Sequence, residues 1–204
     1  MKTTTLLAPM AMAAALSATL AGCASAPPVH YYSLSGTLPT PTSASSKPLL
    51  VELQPLALPE RLARPQMVVR TASGQLEILD QHRWSAPFNT ELRDALAAGI
   101  TQPLGAIDVS NGGRLAGQPV YRVAVQLRQW EAVENSRIEA SFSWTIRRSD
   151  DARNLACQWS QSEPVGLGTE ALAQGAQRLT ARAAQSMAAA LAALDADASA
   201  KCPT

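Results

Sequence analysis

The sequence predicts an α+β domain: a mixed, mainly antiparallel sheet covered on one face by two main helices. Three observations carry this. In the middle of the chain Tyr121, Val123, Val125 and Leu127 alternate with Arg122, Ala124, Gln126 and Arg128. Ile138, Ala140, Phe142, Trp144 and Ile146 then alternate with Glu139, Ser141, Ser143, Thr145 and Arg147. One apolar and one polar face describe a sheet covered on a single side. Two other stretches carry helical spacing instead: Phe88, Leu92, Leu96 and Ile100, and Leu172, Ala176, Leu179, Ala183, Met187, Ala190 and Leu194. Finally, strands, a helix, more strands and a helix follow one another with no regular βαβ alternation, which argues against a doubly wound fold.

The chain opens on a segment outside that fold. Residues 1–5 carry Lys2 as their only side-chain charge, and residues 6–21 are apolar apart from Ser17 and Thr19. As a helix this run would span about 24 Å at ~1.5 Å per residue, short of a hydrocarbon core roughly 30 Å thick. It closes on Leu20-Ala21-Gly22-Cys23, which looks like a bacterial lipobox. Residues 1–22 read as a lipoprotein signal peptide, and Cys23 as the acylated first residue of the mature chain. One acyl chain holds a protein only marginally, whereas several make the anchor effectively permanent. Residues 23–31 read as a short tether. Pro27 and Pro28 favour an extended chain, and residues 24–30 reach at most about 23–25 Å. A single domain then occupies residues 32–204.

Tyr32 and Leu34 alternate with Ser33 and Ser35 as a first strand. Residues 36–48, rich in Pro, Thr and Ser, form a loop to a second strand that stops at Pro55. Residues 56–65 are broken by prolines. Residues 66–70 and 75–79 flank a Gly-containing turn over 71–74 and read as a hairpin. Ser85 is placed to cap a helix with Pro87 in its first turn, and Gly105 is placed to stop it. After a polar turn over 149–154, Leu155, Cys157 and Trp159 give a further strand, and Gly168-Thr169 opens the last helix.

Composition excludes more than it identifies. A net charge of +1 leaves no electrostatic footprint for nucleic acid. With Cys23 lipidated, Cys157 and Cys202 remain as an even pair in an oxidising compartment, and a disulfide is expected between them. No metal-ligand spacing and no cofactor motif is present: Gly166-Leu167-Gly168 lacks the third glycine and the lysine of a phosphate cradle. The two histidines offer little catalysis. His82 has Asp80 and Ser85 nearby in sequence but no nucleophile-elbow signal, and reads as a surface residue near a hairpin end. His30 falls in the tether and reads as solvated. Trp144 and Trp159 lie on apolar strand faces and belong to the core. Trp130 breaks the alternation of its strand, so it stands either at the core edge or in an interface. The same choice is open for residues 56–65. Leu56, Leu58 and Leu62 cap the core beneath the sheet, or Leu58 and Leu62, rimmed by Arg61 and Arg64, present a partner surface.

Leu58-Pro59-Glu60-Arg61-Leu62-Ala63-Arg64-Pro65, continued through Arg70 and followed by Arg83-Trp84-Ser85-Ala86-Pro87-Phe88, resembles the PqiC-like family of ABC-transport auxiliary lipoproteins. Tyr32-Ser33-Leu34 matches the family's first strand, while Arg61, Ala63 and Ala86 depart from its pattern. The resemblance implies a lipoprotein without enzymatic activity that serves an MCE-type lipid transport system. It implies docking to an MCE-domain protein at the outer-membrane end, facing the periplasm, and assembly as a homo-oligomer. Two rivals share the anchor: an assembly or adaptor lipoprotein for an outer-membrane protein or cell-wall synthase, and a lipoprotein hydrolase. The hydrolase needs a convergent serine, histidine and acid that the sequence does not supply.

Overall fold

The computed structural model describes residues 27–36, 48–112 and 117–203. The signal peptide, Cys23 and most of the Pro/Thr/Ser-rich loop lie outside the described residues. In chain order the elements are β1 (His30–Tyr32), β2 (Leu50–Leu53), β3 (Gln66–Arg70), β4 (Leu76–Trp84), α1 (Phe88–Leu104), β5 (Ile107–Asp108), β6 (Val120–Val133), β7 (Arg137–Arg148), β8 (Asn154–Pro164) and α2 (Gly168–Ala196). The strands make one mixed sheet, and the fold is α+β.

Its frame is the antiparallel run β6–β7–β8. The other edge of β6 is long enough to serve two partners in turn. β2 pairs with its first residues in parallel, and β3 meets it at Arg70 beside Val133. β4 returns antiparallel to β3, β1 closes that side parallel to β4, and β5 flanks β2.

Strand β6 buries Tyr121, Val123, Val125, Leu127, Trp130 and Ala132. The odd-to-even change has a local cause. The register against β7 shifts between Leu127 and Gln129, so one extra residue, Arg128, bulges outward and the following side chains keep the apolar face. Trp130 is therefore core, packed edge-on against Phe88 with ring centroids 5.0 Å apart.

Both helices lie on that face. All seven apolar stripe positions of α2 are buried. α1 crosses it closely: a Cβ on Gly99 would stand 2.6 Å from the Ala184 Cβ, so the contact is built for a bare backbone. α1 ends at Gly105 in the left-handed region, φ 57°, as its spacing predicts. Its start differs from expectation. Pro87 takes the cap position and no side chain caps the helix, because the Ser85 hydroxyl donates instead to Glu91.

Two strands depart from the sequence reading. β4 continues past Leu79 to Trp84, and three residues absorbed between the pairs Met67–Leu79 and Gln66–Arg83 hide its period. β1 is His30–Tyr32, two residues earlier than expected: His30 is an exposed member of the sheet, and Ser33, Leu34 and Ser35 lie beyond the strand.

Candidate functional site

Residues 54–65 run along the edge of β6 and stay hydrogen-bonded to it despite their prolines. Gln54 and Ala57 donate backbone N–H groups to Val123 and Val125, at 2.9 and 3.2 Å, and Leu127 donates to the Ala57 carbonyl at 2.8 Å. Glu60–Leu62 then form a 3₁₀ turn. That turn places Leu62 inward, where it lines one small cavity with Trp84, Phe88, Trp130 and Leu172. Leu56 and Leu58 are half-buried against the same core.

The expected partner surface of Leu58, Arg61, Leu62, Arg64 and Trp130 is thus corrected in two members. Leu62 and Trp130 are 5% and 4% exposed and cannot meet a partner without opening the core. The prolines break the strand, but the leucines still face the core that both helices help to build. Arg61 remains outside, its guanidinium 3.4 Å from Glu131, which also accepts from Arg70 Nε at 2.8 Å. Arg64 is half-buried, and its carbonyl accepts from the Phe88 N–H at 3.3 Å.

The histidines do not build a catalytic set. His82 pairs in register with His30, and their rings stack with centroids 5.2 Å apart. The His82 Nδ1 is engaged by the Tyr32 hydroxyl at 3.0 Å, not by Asp80 or Ser85. Burial, helped by the neighbouring His30, holds His82 below the ordinary histidine range. Burial also raises Tyr32, and Glu170 at the start of α2 adds to it. No group of three or more His, Cys, Asp or Glu side chains able to hold a metal occurs among the described residues.

Glu91 is the polar residue that sequence reasoning missed. Buried in the first turn of α1, its carboxylate accepts from the Leu34 N–H at 2.9 Å, the Ser33 hydroxyl at 3.0 Å and the Ser85 hydroxyl. It lies where the helix dipole favours negative charge. Gln177 of α2 adds a bond from its Nε2 to the Ser33 carbonyl at 2.7 Å. The chain leaving β1 is therefore clamped to both helices. The available signal was an acid one turn into a helix beginning with proline, which alone does not reveal a distant partner.

At the other end of the sheet, Tyr121 donates to Asp195 at 2.7 Å, and Arg148 lies over its ring, 5.7 Å from the centroid. Burial, then the bond to Asp195, raises the Tyr121 hydroxyl. A disulfide joins Cys157 to Cys202, Cα atoms 5.6 Å apart, fixing the C-terminal segment beside β8. The open face of the sheet carries a shallow groove of about 440 Å³ lined by small or uncharged residues, among them Ala57, Ala124, Ser143, Thr145 and Ala156.

With this geometry in hand, residues 32–188 match the family described as ABC-type transport auxiliary lipoprotein component. The chain belongs to that family. The match starts in β1 and runs into α2, so it spans the frame of the sheet and both helices. Membership makes the chain an auxiliary lipoprotein of ABC-type transport, a membrane-anchored component of the envelope. Solved structures agree on the fold alone. A crystal structure of an uncharacterized protein is 18% identical, with 81% of this chain and 99% of that one covered and a TM-score of 0.62. A protein from Xanthomonas campestris is 16% identical, with 78% and 91% covered and a TM-score of 0.58. No curated protein matches the sequence.

Proposed function

We propose that this auxiliary lipoprotein works by docking and not by catalysis. In this reading it is anchored through acylated Cys23 in the outer membrane, faces the periplasm, and as a homo-oligomer receives an MCE-domain protein of an ABC lipid transport system. Residues 1–22 are the signal peptide, and the tether ends where β1 begins. The observation that carries the reading is the family match over residues 32–188. The side chains support it. His82 is occupied by Tyr32 and Ser85 by Glu91, so the nearest thing to a nucleophile and base in the sequence is engaged in structure.

Within the proposed contact surface, Arg61 is the exposed member, with Leu58 and Arg64 half-buried beside it. Its ion pair with Glu131 is a surface pair, of the kind that contributes about 0–1 kcal/mol, so it is free to exchange partners. The test is co-purification of the MCE-domain protein, after gentle crosslinking, with wild type and with a folded Arg61→Glu/Arg64→Glu variant. Loss of capture by the variant is expected. Undiminished capture removes this segment from the interface, and no MCE partner with wild type removes the function itself. Recovery of the mature chain in the inner-membrane fraction would overturn the location.

A further inference from the structure

Six large apolar side chains are exposed among the described residues: Val29, Tyr31, Leu76, Ile78, Ile107 and Leu167. The pairing register and the loop contacts gather three of them, Leu76, Ile78 and Leu167, at one end of the sheet, whereas Tyr31 lies opposite Arg83 toward the other end of the β3–β4 ladder. Leu76 lies opposite Arg70, and Arg70 lies beside Val133, the last residue of β6. Ile78 is two pairs further in, opposite Val68. The turn after β6 reaches the loop before α2: the Gly168 N–H donates to the Asn135 side chain at 2.9 Å, and the Val165 N–H to the Ser136 carbonyl at 2.9 Å. Leu167 stands between these two contacts, flanked by Gly166 and Gly168, and is 84% exposed.

The N-terminal chain points toward this end. β1 runs parallel to β4, so residues preceding His30 point back toward the Leu76 and Ile78 end of β4, with Val29 and Tyr31 exposed along the way. Val29 is six positions from Cys23, a reach of at most about 20–22 Å.

We propose that this end of the domain rests on the lipid bilayer itself, with Leu167, Leu76 and Ile78 entering the headgroup–acyl boundary. The proposal rests on the lipidation of Cys23 described above and adds a fixed orientation to it. Solitary exposed apolar residues are ordinary, but three of the six described ones share the end toward which the anchor segment points. The turns over residues 71–75 and 165–168 carry no charged side chain of their own; Arg70, which donates to the Gly74 carbonyl at 2.7 Å, and Glu134, next to Asn135, stay at the level of the polar headgroups. Leu167 forms the tip. Apolar side chains at such a boundary sit roughly 5–10 Å deep, where they shed water without crossing the membrane.

The experiment uses the full lipidated chain in phospholipid vesicles whose acyl chains carry bromine, a contact quencher of indole fluorescence. Leu167→Trp adds an indole at the proposed tip, and Ile107→Trp adds one at the opposite end, among the described exposed apolar residues. The expected result is loss of most of the emission added by Leu167→Trp, with that added by Ile107→Trp retained. Equal emission from both variants on vesicle-bound protein overturns the orientation while leaving the anchor in place. An N-terminal peptide lacking acyl mass at Cys23 removes the anchor, and the bilayer proposal with it.

Discussion

Where β7 turns into β8, the exposed side chains are charged and satisfied by one another; where β6 turns into β7, ion pairs such as Arg137–Glu139 stand beside apolar side chains that are left uncovered. At the first end Arg148 reaches Asp150 at 2.8 Å, Arg153 reaches Asp151 at 3.1 Å, and Arg153 also donates to the Asp195 carbonyl at 2.7 Å. The disulfide closes the C-terminal segment over the same region. At the second end lie Leu76, Ile78 and Leu167, and the chain enters through a strand of only three residues. The first end is built to stay as it is in water. The second leaves surface for something else to cover, and its hold on the entering strand is local and polar. β7 alone has twelve residues, a rise of about 40 Å at ~3.3 Å per residue, so one end can rest at a membrane while the other stands well clear of it.

Breaking the first end should cost most. Cys202→Ser opens a covalent loop spanning 45 positions, for which the chain-entropy picture gives about 4 kcal/mol, an upper figure if the native bond is strained. Denaturant unfolding should show that loss in the variant, and reduction of wild type should reproduce it. Peptide maps unchanged by reductant would show that the two cysteines are not joined in the purified protein.

The clamp on the entering strand comes next. Glu91→Ala leaves the buried Leu34 N–H without its acceptor and frees two serine hydroxyls, a loss of about 2–3 kcal/mol. Amide exchange should quicken at Leu34 far more than in β7. Equal effects at both places would mean that Glu91 supports the whole core and not the entry alone.

The two ends were not equally legible in the sequence. Period-two alternation gave β7 and most of β6, and the stripe from Leu172 to Leu194 gave α2, because each element buries one continuous face. Trp130 was ambiguous for the same reason. A single bulged residue, Arg128, shifts the period, and sequence alone does not distinguish a bulge from an exposed contact. β4 beyond Leu79 was missed because Asp80, Gln81, His82 and Arg83 are polar on both faces of an edge region. Glu91 could not be seen, since its donors lie up to 58 positions away. Likewise the exposed leucines gain meaning only once the register places Leu76, Ile78 and Leu167 at one end.

The smallest effect, and the one that separates the two ends without any truncation, is that of pH on β1. Folded His82 is held below the ordinary histidine value by burial and by His30, so it binds its proton less readily than the same residue in the unfolded chain. The unfolded state therefore takes up more protons just below about pH 6.5, and stability rises with pH through that window. The contribution is fully present above the ordinary value and is lost as pH falls through the folded one. Its seat is narrow. His82 touches His30 and Tyr32, two of the three residues of β1, while Glu170 is the acid that acts on Tyr32. Acidification from about pH 7 to about pH 5 should therefore speed amide exchange at residues 30–32 before it affects β8, where the disulfide holds. His82→Gln should flatten that local pH dependence and leave the exchange of β8 as it was. A variant that retains the wild-type slope at residues 30–32 would assign the effect to another group and leave the two ends alike in their response to acid.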